Sequence, residues 1–213
     1  MSEGSLTGRG PPEERVEAFL RWAAASRPDD GPAVRAQLAA ARLDREVVRA
    51  LADRTGAEQD HSRALIAIGA LGEMRSPHAE VHLRRVVAEP LPPAEAGEGV
   101  RAGVEMRQAR AVAGLAFLGA ASADAEVLRA AGSHPSRAVR AEAIEAFLYN
   151  HPGDAAARAR LEGAIRDADR VFLDRPRHEA GAPPEVFDRQ LEAYLRAHPE
   201  LVPPRPIKRE GRP

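Results

Sequence analysis

Ser133–Leu148, SHPSRAVRAEAIEAFL, opens on a turn closed by Pro135 and continues as a helix. Its apolar residues, Val139, Ala143, Ile144, Phe147 and Leu148, recur at steps of three and four, the spacing of a single helix face. Proline near the first helical position, with Ser133 or Ser136 at the cap, marks the start. The stretch has relatives elsewhere in the chain. Val34-Arg35 precedes Leu43, and looser copies run from Arg63 to Leu71-Gly72 and from Arg110 to Leu118-Gly119. The arginines at 35, 63, 110 and 140 are about 28, 47 and 30 residues apart. That is a period of roughly 30 with one insertion, the range of helical repeat arrays.

Composition bounds what such an array is for. The 213 residues are 44% hydrophobic and 30% charged, ordinary values for a folded water-soluble protein, and only 4% aromatic. Alanine dominates the helical segments, and small residues let helices approach closely. A net charge of -1 provides no global field to recruit nucleic acid or an anionic membrane. The basic charge is almost all arginine, Lys208 being the only lysine. Without cysteine there is no disulfide, thiolate metal site or cysteine nucleophile. Met1–Gly10 has no apolar core of a signal peptide, and no apolar run reaches membrane-spanning length, so a cytoplasmic location is expected.

In order, residues 1–11 are expected to be disordered, and a helix follows Pro11-Pro12 with Val16, Phe19, Leu20 and Ala23 inward. Arg27–Pro32 breaks it, and the next helix carries Val34, Leu38, Ala41 and Leu43. Asp44 is a candidate N-cap, and Gly56 suits the end of the helix that follows. Further helices are expected from Glu58 to Glu73, after Ser76-Pro77 with Val81, Leu83, Val86 and Val87 inward, and from Glu105 to Leu118. Ser122 is expected to cap the next. The helix from Ala155 is expected to reach Phe172, and the last, 184–197, to turn Val186, Phe187, Leu191, Tyr194 and Leu195 inward. Proline and glycine concentrate in 89–103 and 174–184, two loop insertions, and the tail 199–213 is rich in proline and arginine. No segment alternates with period two, so no sheet is expected. Paired in order, the helices make five hairpins: 12–26/32–43, 44–55/60–73, 77–88/104–120, 122–131/135–149 and 154–170/184–197.

Asp29–Arg35 and Pro135–Arg140, each an Asp/Pro turn or Pro turn leading into Val-Arg, resemble HEAT repeats, especially the short bacterial HEAT-like repeats of the phycobilisome-lyase type. The resemblance covers about residues 12–197. It implies an all-α fold: a right-handed α-solenoid of about five antiparallel helix pairs, a single domain over 12–198. The second helix of each pair would line the concave side. Both insertions fall between first and second helices, so they would stand along one rim, where loops on a rigid scaffold bind partners.

Individual residues carry weaker signals. His78 and His82, four apart, share a helix face, but no third ligand accompanies them and surface histidines are the plainer reading. His134-Pro135, His151-Pro152 and His198-Pro199 read as helix-end punctuation. Arg35, Arg63, Arg110 and Arg140 would sit at the starts of second helices, where a positive charge opposes the dipole, so a compensating contact is expected. Asp29 or Asp30, and Asp60, are candidate partners for the first two.

The expected function is therefore a non-enzymatic adaptor, scaffold or regulatory module that binds a protein through the concave face and the loop-bearing rim. Candidate partner-binding residues are Arg110, Arg137 and Arg140, with Glu95, Glu98, Arg175, Arg177 and His178 on the loops. No catalytic residue, metal or cofactor is implied, and neither nucleic acid nor a membrane is an expected partner. A HEAT-like DNA-binding or DNA-repair protein is one alternative; it requires a basic groove hidden within the neutral net charge. A small-molecule lyase is the other; it requires a deep apolar pocket with converging acid and base groups.

Overall fold

The computed structural model describes residues 5–56, 60–177 and 183–202, and every regular element among them is helical. The chain divides into two compact units, Met1–Asp169 and Arg170–Pro213. The first unit contains α1 (Pro12–Ala25), α2 (Gly31–Ala40), α3 (Arg45–Ala52), α4 (His61–Glu73), α5 (Glu80–Val87), α6 (Glu98–Leu118), α7 (Ala121–Ser133), α8 (Arg137–Asn150) and α9 (Ala155–Ala164). The second contains α10 (Pro184–Ala197), whose Tyr194 hydroxyl donates to the Val171 carbonyl at 2.9 Å. Of the residues expected inward on α10, Tyr194 alone is buried; Val186, Phe187, Leu191 and Leu195 are half-buried.

Local chemistry sets the helix starts. The side chains of Asp44, Asp60, Ser136 and Asp154 accept hydrogen bonds from backbone N–H groups two or three residues on, at 2.9 to 3.4 Å. Each such cap is worth about 1 kcal/mol. All three His-Pro histidines, His134, His151 and His198, are helix C-caps, as punctuation requires.

Several boundaries differ from the sequence reading. The α5–α6 connection is shorter than 89–103, because α6 begins at Glu98 after Gly97, whose φ of 94° favours glycine. Gly99 and Gly103 lie within the helix, where Glu98 complements the N-terminal dipole and Arg101 pairs with Glu105 one turn on, at 3.2 Å. Helix α9 ends at Ala164, and Asp167–Asp174 winds as a 3-10 segment where a continuous helix was expected. Helix α3 stops at Ala52, short of Gly56, and Ser122 lies inside α7, its hydroxyl 3.0 Å from a Glu80 carboxylate. Val81 is 59% exposed because Ala79, four residues before Leu83, takes the inward position. Leu43 is 73% exposed in the turn after α2. Within residues 5–11, Leu6 is anchored: it is buried, its N–H donates to the Gln37 side chain and its carbonyl accepts from Arg15. The rest of the expected disordered N-terminus, residues 1–4, lies outside the described residues, as does the tail from 203; Pro199–Leu201 forms a 3-10 turn.

The first unit is two layers of helices. Helices α3 and α4, α5 and α6, and α7 and α8 pack against each other. In contrast to the expected first pair, α1 packs mainly on α3 and α4, and α2 touches α4. One layer runs α4, α6, α8, with adjacent members in extensive contact. In the other, Arg45 of α3 reaches His78 just before α5, Arg84 of α5 reaches Ser122 of α7, and α7 packs on α9.

A shared internal register underlies the α4–α6–α8 layer. Ala67, Ala111 and Ala143 are buried at one level, Ile68, Val112 and Ile144 at the next, and Leu71, Leu115 and Phe147 one turn on. At the α4–α6 crossing a Cβ added to Gly72 would lie 2.5 Å from the Gly114 Cα, so the two backbones touch. Gly72→Ala should therefore lower the unfolding free energy by about 2 kcal/mol, a typical overpacking cost. Gly163→Ala in α9, where an added Cβ meets nothing within 4 Å, should be neutral to stabilising by up to about 1 kcal/mol. Urea unfolding of both variants tests the pair; equal effects would contradict the contact.

Candidate functional site

The shared register also says which residues point outward from the α4–α6–α8 layer. One step along from the buried alanines, Leu65 and Ile66, Ala109 and Arg110, and Ala141 and Glu142 occupy equivalent places on successive helices. The next outward level toward the C-termini ends in Glu73, Phe117 and Tyr149, and a level toward the N-termini includes Met106. A shallow cleft of about 420 Å3 runs across the three helices, walled by Leu65 and Ile66, Met106, Arg110 and Glu142. Met106 is 49% and Tyr149 63% exposed, and the Phe117 and Tyr149 rings meet edge-on with centroids 6.2 Å apart. The face is thus apolar at both ends, with charge between.

Arg110 is the centre of this face. It lies in the middle of α6, not at a helix start as expected, because α6 begins two turns early. Its guanidinium crosses Gly69 of α4, where an added Cβ would lie 2.6 Å from Nη2, and stands 3.8 Å from the Glu73 carboxylate. Gly69 thus makes room for the guanidinium.

The other candidate residues do not join it. Arg140 is buried, 6% exposed, and points away from the face. Its Nε donates to Asp169 Oδ2 at 2.6 Å, and its Nη1 donates to the carbonyls of His134 and Pro135 at 2.8 and 3.2 Å. These contacts are the compensation that a cation in the first turn of α8 needs. Asp169 has no exposed side-chain area. Arg137 is half-exposed, 3.4 Å from the same carboxylate and donating to the Ala168 carbonyl. Both arginines therefore hold the end of the first unit together, and Arg140 is unavailable to a partner. Arg63 pairs with Glu17 of α1 at 2.8 Å, not with Asp60, which caps its helix; Arg35 is exposed on α2.

Glu95 lies in the 3-10 turn Ala94–Ala96 and Glu98 in the first turn of α6, both exposed. The connection that carries them is anchored from α6: Arg107 pairs with Glu89 at 2.6 Å, Gln108 donates to the Glu89 carbonyl at 2.6 Å, and Arg101 donates to the Pro92 carbonyl. Arg175 and Arg177 belong to the second unit, where Arg177 donates to the Leu173 carbonyl. His178 lies outside the described residues. No group of three or more His, Asp or Glu among the described residues is placed to hold a metal ion. No helix among them is long and apolar enough to cross a membrane.

Met106, Phe117 and Tyr149 were missed by sequence reasoning. The only signal for them was the outward position in a register that becomes visible once burial is known.

Two stability tests follow from these buried groups. Asp169→Ala leaves the Arg140 charge buried without its carboxylate and should cost about 3 kcal/mol in chemical unfolding, and Arg140→Met with Asp169→Leu should recover most of it. Burial holds the His134 imidazole below its usual pKa, and its Nδ1 accepts a hydrogen bond from the Ser136 N–H at 3.2 Å, which also favours the neutral ring. A histidine held low binds fewer protons in the fold than in the unfolded chain, so its contribution is complete above about pH 6.5 and declines below it. His82 is shifted the same way. Unfolding at a series of pH values should show stability falling on acidification, with a shallower fall in His134→Gln. No protein-family model, curated protein or solved structure matches the chain, so its function is read from this geometry.

Proposed function

We propose that the chain is a HEAT-like repeat protein that acts without chemistry of its own, as an adaptor or regulatory module binding a protein segment along the α4–α6–α8 face. The observation that carries this is the contrast between the two sides of one register. The inward residues repeat the same chemistry, alanine, then isoleucine or valine, then leucine or phenylalanine, while the outward ones differ: Ile66, Arg110 and Glu142. Constant inward and varied outward residues on stacked helices are how repeat scaffolds present a recognition surface.

The chemistry of the face specifies the segment. Met106 and the Phe117–Tyr149 pair offer apolar and aromatic anchor points, of the types that dominate interface energetics, and Met adapts to irregular partners. Arg110, already beside Glu73, can receive a carboxylate in a fork. A short amphipathic helix with an acidic residue between two apolar anchors fits this pattern. In the same reading the α5–α6 connection with Glu95 and Glu98 adds polar contacts beside the start of α6, as part of the proposed rim.

A photo-crosslinking amino acid at position 106 tests the reading directly. It should capture a discrete protein from cells of the source, and capture should fall about tenfold with Arg110→Glu or Tyr149→Ala, each with an unchanged helical spectrum. Absence of any protein adduct, or capture indifferent to both substitutions, would reject the face as the binding site.

A further inference from the structure

On the other layer of the first unit, α3 and the α5 region enclose an open cleft of about 700 Å3. Arg45 and Arg49 of α3 and Asp53 just after it line one side, and His78, His82 and Arg85 the opposite side. Three guanidiniums, two imidazoles and one carboxylate thus share the cleft. None of Arg45, Arg49 and Arg85 forms an ion pair with a carboxylate among the described residues, in contrast to Arg15, Arg84, Arg107 and Arg140 of the same unit. Arg45 instead donates from Nε to His78 Nε2 at 3.2 Å, which leaves that imidazole an acceptor and orients the guanidinium. The wall between the charges is apolar: Val48 is buried beneath it, and Val81, 59% exposed, stands in its side.

We infer that this cleft binds a small phosphate-bearing ligand, its phosphate forked by Arg49 and Arg85 near Arg45 and its apolar part against Val48 and Val81. Guanidinium forks match phosphate oxygens two at a time. The cleft is open and has room for a small molecule along its charged walls. A long polyanion fits less well because the positive surplus stops at α5. Arg84, the neighbour of Arg85, is paired with Glu80 at 2.7 Å, and Glu126 of α7, its carboxyl held low by Arg129, also feels the Arg84 charge. The site lies on the layer opposite the proposed protein-binding face and stands or falls separately from it.

The cleft also contains its own reporter. The His82 imidazole is held low by burial first and by Arg85 next, with Arg49 adding to the shift and Asp53 opposing it. Arg45 across the cleft and His78 on the same side complete the charged and titratable groups that line it. A dianion placed among these groups favours imidazolium, so binding takes up a proton and tightens as pH falls through the histidine range.

Calorimetric titration of the full chain with inorganic pyrophosphate at low salt tests the assignment, followed by a nucleoside monophosphate and a single-stranded oligonucleotide. Saturable binding of pyrophosphate at one site is expected, weakened at least about tenfold by Arg49→Ala with Arg85→Ala and by Val81→Glu, and unchanged by Arg35→Ala or Met106→Asp. The His82 ring resonances should report a raised pKa on saturation. Sulfate, whose charge is constant in this range, should bind more tightly at about pH 6 than at about pH 8. No saturable binding, affinity indifferent to the double substitution, or a strong preference for the oligonucleotide over pyrophosphate would each overturn the proposal.

Discussion

The backbone contact between Gly72 of α4 and Gly114 of α6 is the constraint around which the first unit is built. An added Cβ on either glycine runs into the other helix, at 2.5 Å from one side and 3.3 Å from the other. Close approach there brings the buried levels of α4 and α6 together, and α6 then packs against α5, α7 and α8 as well. A chain with few aromatic residues has little bulk with which to fill wide interhelical gaps, so density must come from proximity. The same solution recurs where Gly132 of α7 meets the Ala164 carbonyl of α9, with 2.3 Å left for a Cβ. Small residues in this protein are therefore not empty positions; they set the spacing of the layers.

Close packing leaves helix ends to be satisfied from neighbouring helices. Gln108 of α6 donates to the carbonyls of Val87 and Glu89 at the end of α5, and Arg140 of α8 does the same for His134 and Pro135 at the end of α7. These two residues occupy the same register, one turn before Ala111 and Ala143, so the second helix of a pair closes the first by one recurring device. It answers the orphan carbonyls that every helix end presents. In α8 the device uses a charge and needs Asp169 to balance it; in α6 it uses an amide and needs none. Ala64 holds the place in α4, where the device is missing.

The helical class, the Asp44 and Ser136 caps and the three His-Pro helix ends were legible in the sequence because they are local: periodicity, Asp or Ser before a helix, His-Pro after one. The repeat register was not. Arg110 was aligned with Arg140 by residue type, whereas burial aligns Gln108 with Arg140, because inward geometry and not chemical identity defines a repeat. Gly99 and Gly103 were read as loop residues, yet they lie inside α6, where the helix tolerates a cost of about 1 kcal/mol for each. Val81 was assigned inward from composition, and Ala79 holds that position. Such errors share a cause. A residue's side of a helix depends on which neighbour the helix meets, and that is settled between helices.

The arginine content shows how far composition can mislead about function. A net charge of -1 argues against any electrostatic recruitment, but it sums arginines in opposite situations. Arg107 and Arg140 are buried and paired with Glu89 and Asp169, where they hold a connection and a helix end, so their guanidiniums contribute little to the surface. Arg110 is shared between Glu73 and the outside on the α4–α6–α8 face. Arg45, Arg49 and Arg85 are gathered in one cleft on the opposite layer with a single carboxylate. Because α3 and α5 stand between that cleft and the α4–α6–α8 face, roughly one helix-packing distance of about 10 Å or more separates the two surfaces, and salt screens charge over a similar length. The scaffold can therefore display two surfaces of different chemistry, one mixed and apolar, one cationic, while its overall charge remains near zero.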